Sequence, residues 1–404
     1  MAMNPPTTYD VLIVGGGMAG ASLAGVLARA GFGVLVVERE ATFRDRVRGE
    51  FTWPWGFGEA QLLGLDAVLA SVDAIPLSAT HVYAQHTLTT VEPIPAPGML
   101  GFSHPQLQEA LVQWAAAGGA TTLRPAKAIG MTRGTVSTVT VVHDGQAHDY
   151  CARLVVGADG KRSAVRHWAG GETVVDPEHH RFGGVLVQGL SDDWSVLADG
   201  STYETGCLWF SPRAGTTRLY LRMSAEQLRQ TQADRDFDTF VRMASTFMPE
   251  GALEGAVQAG PLAFFPNSCV WSSCLAGNGV VLLGDAAGSA DPSWGRGTSL
   301  LYRDVRELRD RLLGELNWDR AIAEFAQSRA QTYAVVRAYD HWTTLHAAED
   351  GPEAECRRAQ RNRAKEADPT LGGFKLIELQ GPDGLVADEA ARQHYFGEDL
   401  PGLA

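Results

Sequence analysis

Three glycines, Gly15, Gly17 and Gly20, stand at G-x-G-x-x-G spacing directly behind the apolar run at residues 11–14. A carboxylate, Glu38, closes the next apolar run about twenty residues on. Each residue type has a physical task. Gly15 permits the tight turn out of a strand. Gly17 lets a pyrophosphate approach the backbone, and Gly20 lets the following helix pack close to the sheet. The helix opening at Met18 and Ala19 aims free N–H groups and its positive dipole end at phosphate charge. Glu38 stands where a carboxylate accepts the ribose hydroxyls of an adenosine. Gly15, Gly17, Met18, Ala19, Gly20 and Glu38 therefore predict a site for an ADP-containing cofactor.

Further along, other residues suit the same chemistry. Arg39 adjoins Glu38 and is grouped with it. Arg44 and Arg46 are assigned to a solvated face, whereas Arg48, directly before the flexible Gly49, is a cation placed to meet cofactor phosphates or ring. At 154–166 a buried strand runs into a glycine turn, with Asp159 free to accept hydrogen bonds. At 279–304 a strand ends in Gly284-Asp285, and a loop holding Pro292, Trp294, Gly295 and Gly297 leads into a helix near Thr298. That loop offers a second set of backbone N–H groups at a helix N-terminus.

The elements that must position these residues set the fold class. Alternating strands and helices with a glycine turn predict an α/β chain with a Rossmann-like domain. A helix is expected over 104–117, with Pro105 in its first turn. Residues 121–150 suggest a β-meander. Residues 171–276 suggest a mostly antiparallel sheet with helices beside it, forming a substrate domain. The expected division is 1–75, 100–170 and 277–346 for the cofactor domain, 76–99 and 171–276 for the substrate domain, and 347–404 for a helical C-terminal tail lying on the outside. Residues 1–8 are expected to be a frayed lead-in.

Composition narrows the partners. With 404 residues the chain can bury a large core. A net charge of −13 and a pI near 5.3 argue against nucleic acid or an anionic membrane. The apolar segment at 11–37 carries Arg29 and frequent glycine and lacks the basic flank of a signal peptide, so it is not assigned as a membrane span. Five cysteines without a CxxC pair suggest reduced thiols in the cytoplasm. The histidines show no metal-ligand spacing, and no metal is expected.

Taken together, the three glycine-centred stretches resemble the single-component (group A) FAD-dependent monooxygenases, aromatic hydroxylases of glutathione-reductase-like FAD fold. Gly157-Ala158-Asp159-Gly160 with Ser163 and Arg166 matches that family's G-A-D-G-x-x-S-x-V-R motif. Gly284-Asp285-Ala286-Ala287 with Pro292, Gly295, Gly297 and Asp304 matches its G-D-A-A…P-x-x-G-x-G…D motif. The chain differs where the family often has His, Asn and Arg; it has Gly288, Ser299 and His104, and the resemblance leaves Gln108, on the same helix as His104, within reach of the cofactor. The resemblance implies FAD, with Asp285 at its ribitol and Pro292, Trp294 and Gly295 facing the ring. It implies NADPH or NADH as transient reductant, O2 as co-substrate, and a C4a-hydroperoxide that oxidises a small aromatic or polyketide-like substrate. Trp53, Trp55, Trp209, Tyr220 and Arg222 are the substrate candidates, because flat walls suit a flat ligand. A monomer or homodimer is expected.

A weaker similarity runs to flavin-dependent halogenases, through residues 43–50 and Gly206, Trp209 and Pro212. Those enzymes need a lysine to hold the activated halogen, and no lysine precedes Lys127. The alternatives are an FAD oxidase, dehydrogenase or halogenase reduced by a partner, and a cyclase that keeps FAD without redox turnover.

Overall fold

The computed structural model describes residues 7–191, 194–202, 205–367 and 376–399. Its central strand is Thr7–Val14, whose last four residues, Val11, Leu12, Ile13 and Val14, are a buried apolar run. On one side it pairs in parallel with Val34–Val37, and on the other with Gln146–Gly157. The sheet order is Ala276–Gly277, Val280–Leu282, Gln146–Gly157, Thr7–Val14, Val34–Val37, Thr121–Leu123. All three glycine-centred stretches leave neighbouring strands of this one sheet. Their turns are gathered at its C-terminal edge, where open α/β sheets hold their ligands.

Side-chain alternation decides what covers each face. Val11 and Ile13 pack with the helices Met18–Arg29, His104–Ala117 and Gly297–Gly314. Leu12 and Val14 pack with Val139 and Val141 of an antiparallel extension on the other face. Gly25 lets two helices cross closely, since a Cβ there would lie 2.1 Å from the Trp114 ring. The expected meander over 121–150 is only partly present. Thr121–Leu123 pairs in parallel with Val34–Val37, and the antiparallel turns run through Ala126–Thr132, Ser137–His143 and Gln146–Gly157. Thr7 and Thr8 are paired with Tyr150 and Cys151, so the strand starts inside the expected lead-in.

A second sheet has the order Val257–Gln258, Arg181–Gln188, Thr216–Met223, Thr205–Arg213, Leu197–Ser201, Ala79–Ala84, Thr87–Pro93. It is antiparallel except between Leu197–Ser201 and Ala79–Ala84. Cys207, Trp209, Leu219, Leu221 and Met223 face a core shared with Phe240 and Ala244 of the helix Phe237–Ser245. Phe210 and Tyr220 face the opposite way, into a cluster with Val47, Phe51 and Trp53. The α/β fold with a second, mostly antiparallel sheet agrees with the expectation.

The helices Pro352–Ala367, Leu376–Gln380 and Glu389–Phe396 form the C-terminal region. An outside position was expected, and the structure corrects it. Ile377, Glu378 and Phe396 are each 1% exposed, because this region packs on Tyr333, Tyr339 and Trp342 and pairs its Glu378 with Arg296. Among the described residues no helix is long and apolar enough to cross a membrane, and no His/Cys/Asp/Glu cluster suits a metal.

Candidate functional site

The first glycine turn is sterically exacting. Gly15 has φ +106°, and a Cβ there would lie 2.3 Å from the carbonyl oxygen of Ala158. A Cβ on Gly20 would lie 1.9 Å from the carbonyl oxygen of Gly15. Gly17 caps the helix Met18–Arg29 with no side-chain bond, leaving the first-turn N–H groups without a capping acceptor. Gln108 is beside it, its Nε2 3.5 Å from where a Gly17 Cβ would stand. Glu38 is buried at the mouth of the loop. It accepts the Gly16 N–H at 2.7 Å and the Glu40 N–H at 2.8 Å. Arg39 is solvent-facing and pairs with Glu40.

The third stretch closes on the first. Gly284 has φ +57° and abuts Ala19, whose Cβ is 3.1 Å from the position a Gly284 Cβ would take. Asp285 faces Arg48 across 3.8 Å. The carbonyl of the next residue, Gly49, is 2.8 Å from His104 Nδ1. Burial pushes His104 down to about 4, so the neutral ring donates there. Thr298 Oγ1 stands 3.5 Å from a Gly49 Cβ position. The helix Gly297–Gly314 also lacks a side-chain cap at its N-terminus. Gly17, Ala19, Arg48, Gln108, Gly284, Asp285 and Thr298 thus stand on adjoining turns, with Gly297 opening the helix that carries Thr298.

Asp159 accepts the Ala164 and Val165 N–H groups through Oδ2, and its buried Oδ1 has no partner. Arg166 ties this second motif to the third by donating to the Ala286 carbonyl at 3.0 Å. Two uncapped helix N-termini, a glycine cradle and an orphaned carboxylate oxygen fit an extended dinucleotide with hydroxyls and phosphates. The residues present therefore fit FAD.

The loop at Pro292 is braced on all sides. Asp291 accepts the Ser293 N–H at 2.8 Å and meets His179 Nε2 at 2.6 Å. Gly295, at φ +64°, leaves no room for a Cβ, which would lie 2.2 Å from Phe51. The indole N–H of Trp294 donates to Thr344 Oγ1 at 3.2 Å, and the Trp294 carbonyl accepts from Trp53 Nε1 at 3.1 Å. Ser299 accepts the Trp53 N–H at 3.1 Å.

The substrate candidates divide. Tyr220 stacks on Phe182 and donates its hydroxyl to the Arg48 carbonyl at 2.7 Å. Arg222 lies 5.3 Å from the Trp294 ring. Trp53 meets the same loop. Trp55 is displaced toward the C-terminal region, where its ring is 2.9 Å from a Gly381 Cβ position. Trp209 is a correction: it is fully buried with Tyr83 and Trp194 on the far face of the second sheet. Strand alternation puts it beside Cys207 in phase, opposite Phe210.

Several residues of the site were not anticipated. Arg218 is fully buried and binds Glu50 and Asp45, each at 2.7 Å. Burial pushes the Glu50 carboxyl above its ordinary range against the pull of Arg218. The signal was present in the period-two run Arg218-x-Tyr220-x-Arg222. His179, His180, Asp199 and Asp340 carried no local signal.

Burial raises Asp199 to about 6, with Arg222 opposing. A raised carboxyl favours folding while protonated, and that contribution is lost as pH rises through about 6. Asp199→Asn is therefore expected to gain at most about 3 kcal/mol relative to wild type between pH 4 and 7.5. Denaturant titrations at the two pH values check this; an unchanged difference would show that Asp199 is solvated.

Comparison with known proteins agrees with the geometry. The model of the FAD binding domain family matches residues 8–333. Digeranylgeranylglycerophospholipid reductase 1 of Methanococcoides burtonii is 26% identical over 308 residues, spanning 72% of this chain and 71% of that protein. Squalene monooxygenase of Mus musculus is 25% identical over 352 residues, spanning 82% and 60%. The crystal structure of PqsL, a probable FAD-dependent monooxygenase from Pseudomonas aeruginosa, superposes with TM-score 0.73 at 20% identity, covering 85% of this chain and 97% of PqsL. PqsL has also been seen in complex with 2-aminobenzoylacetate. The flavin-dependent brominase Bmp2 superposes with TM-score 0.77 at 15% identity, covering 97% of this chain and 99% of Bmp2. With the family model covering most of the chain and the three motifs meeting at one sheet edge, the chain belongs to the FAD-binding-domain family and is a flavin-dependent oxidoreductase with the monooxygenase fold.

Proposed function

We propose that this protein is a monooxygenase that uses NAD(P)H and O2 to hydroxylate a small aromatic or polyketide-like substrate. The balance is ArH + NAD(P)H + H⁺ + O2 giving ArOH + NAD(P)⁺ + H2O. The observation that carries the reading is the convergence of the Tyr220–Arg222 face of the second sheet on the Trp294 loop, beside the cofactor cradle. Bound FAD supplies the electron transfer and O2 activation. The chain's own residues bind, orient and exclude water. Arg48, Asp285 and the helix beginning at Gly297 hold the cofactor. Phe51, Trp53, Phe210 and Tyr220 form a dry wall, each less than a tenth exposed, that protects reactive oxygen species from water. The complex of PqsL with 2-aminobenzoylacetate supports an aromatic ligand for this fold.

Anaerobic stopped-flow mixing of the flavoprotein with NADH or NADPH tests the reading. Bleaching of the flavin band, accelerated by a bound aromatic, is expected. A flavin that neither nucleotide bleaches across an aromatic panel would overturn it in favour of a partner-reduced or non-redox protein. The halogenase alternative has little support in the site. Lys127 lies on the strand Ala126–Thr132, Lys161 in the turn beside Arg166 and Lys365 on the helix Pro352–Ala367, while Lys375 is outside the described residues. Asp285→Ala removes a charged acceptor and is expected to weaken FAD binding roughly 10- to 100-fold. Equilibrium dialysis reads this directly; unaltered FAD affinity would remove Asp285 from the site.

A further inference from the structure

The helix Pro352–Ala367 turns cations, not apolar residues, toward the protein. Its inward stripe is Ala354, Arg358, Arg361 and the half-buried Lys365, at helical spacing, while Glu353, Glu355 and Glu366 are exposed. A helix that covers a core normally presents apolar side chains at such positions. A fully buried cation is rare unless it is paired. Arg358 donates to the Glu349 carbonyl at 2.6 Å. Arg361 is 1% exposed and forms no ion pair among the described residues. All three of its nitrogens are buried without a hydrogen-bond partner. Its guanidinium carbon lies 3.6 Å from the centroid of the Tyr395 ring. That contact offsets part of the charge and accepts none of the in-plane N–H groups.

Three helices close around this group. Gly397, at φ +70°, lets Glu389–Phe396 press against Pro352–Ala367, since a Cβ there would lie 2.3 Å from the Ala364 Cβ. From the helix Trp318–Ala347, His346 brings a buried Nδ1 that also has no partner. Burial pushes His346 down to about 3, and Arg361, Lys365 and Arg358 act in the same direction, so the ring is neutral. Burial and Arg361 likewise hold the Lys365 ammonium below its ordinary range. The acids on the adjoining segments are engaged elsewhere: Glu349 with Arg357, Glu378 with Arg296, and Glu389 and Glu398 with Arg392. What remains is a set of donors with net positive charge: guanidinium N–H groups, an ammonium and an imidazole nitrogen. Buried, such a set calls for a charged ligand that only accepts hydrogen bonds.

We infer that Arg361, with Lys365 and His346, binds a small inorganic oxyanion of the phosphate or sulfate type, enclosed by the helices Trp318–Ala347, Pro352–Ala367 and Glu389–Phe396. The near-complete burial of Arg361 favours a free ion over the phosphoryl end of a larger ligand. The ion neutralises the cationic stripe and fastens the C-terminal region to the body. Its influence reaches the cofactor loop through continuous contacts. The Tyr395 hydroxyl donates to Thr343 Oγ1 at 3.4 Å, and Arg296 Nη2 donates to the same oxygen at 3.4 Å. Arg296 pairs with Asp340, which accepts the Asp291 N–H at 3.0 Å. The site is separate from the substrate face, so it stands whether or not the hydroxylase reading does.

The test uses the full-length FAD-loaded protein at constant ionic strength set with potassium chloride. Inorganic phosphate and sulfate are titrated by calorimetry and in thermal melts. One ion per chain is expected to bind, and the melting temperature to rise by about 3 °C at roughly 100-fold excess over Kd. Arg361→Met is expected to bind neither ion and to lose the rise. In oxyanion-free buffer it should melt at or above wild type, because it removes a buried charge that nothing then offsets. Arg361→Lys should restore part of the binding. Lys365→Gln, at a half-buried position, should fold normally and weaken phosphate about 10-fold. A wild-type protein that neither binds the two ions nor melts differently in them overturns the assignment. So does an Arg361→Met protein that responds to phosphate as wild type does. Glycerol 3-phosphate is the arm for a phosphoryl group on a larger ligand, and a response equal to that of phosphate would overturn the enclosed free ion.

Discussion

Gly20→Ala is expected to give a protein that no longer retains FAD and unfolds well below wild type. The added methyl would lie 1.9 Å from the Gly15 carbonyl oxygen and 3.1 Å from its carbon. Both are backbone atoms, so no rotamer change relieves the overlap. The helix Met18–Arg29 must move off the sheet, and it carries the N–H groups that face the cofactor phosphates. Overpacking a closed site typically costs 1–3 kcal/mol. Here the displaced element is also the binding element, so stability and FAD affinity fall together. Gly31→Ala is the control: nothing stands within 4 Å of its Cβ position, and its φ of +93° adds only backbone strain. Its FAD content should match wild type. The ratio of flavin to protein absorbance after purification, with a thermal melt, decides the matter. A yellow, stable Gly20→Ala protein would refute the close helix–sheet contact.

Arg296→Leu is expected to be the most damaging substitution outside the glycine turns. Arg296 is fully buried between Asp340 and Glu378, which are themselves buried. Burial pushes the Asp340 carboxyl up, and the guanidinium restrains it. Removing the cation strands two acids in the core, at about 3–5 kcal/mol. The effect has a direction as well as a size. Asp340 also accepts the Asp291 N–H at 3.0 Å, so the Pro292–Gly295 loop loosens. Glu378 lies on Leu376–Gln380, so the C-terminal region loosens too. Hydrogen exchange should rise at both places, and FAD affinity should fall. Glu378→Gln should be milder, because Arg296 keeps Asp340. If exchange in Arg296→Leu rises nowhere near the loop, the C-terminal region is packed independently of the cofactor site.

The site residues that the sequence made legible share a property: their function depends on local backbone shape. A glycine turn between a strand and a helix is encoded within a few residues, so Gly15, Gly17, Gly20, Gly284 and Gly295 were identifiable by type and spacing. Glu38 was legible because the next strand end lies one crossover away, a distance the βαβ unit constrains. Arg48 and Gln108 were predictable only as neighbours of those turns, and the structure places both beside them.

The candidates that moved did so for reasons of packing. Trp209 and Tyr220 are both aromatic strand residues, and residue type alone cannot tell them apart. Which face of the sheet met the cofactor domain was settled by the helices Ala225–Thr231 and Phe237–Ser245, which cover the face that carries Trp209. The C-terminal region was charged in sequence and looked like a surface. Its acid at position 378 meets a guanidinium 82 residues away, a pairing no local pattern encodes.

From sequence alone came the cofactor class, the strand–turn–helix units and the acidic surface, because backbone turns and apolar periodicity are short-range properties. Tertiary structure alone decided that Arg218 is neutralised by Glu50 and Asp45, and that Trp294 is braced by a helix fifty residues beyond it. Charge compensation and ring contacts depend on distances through space between segments far apart in the chain, and those distances exist only once the two sheets have packed together.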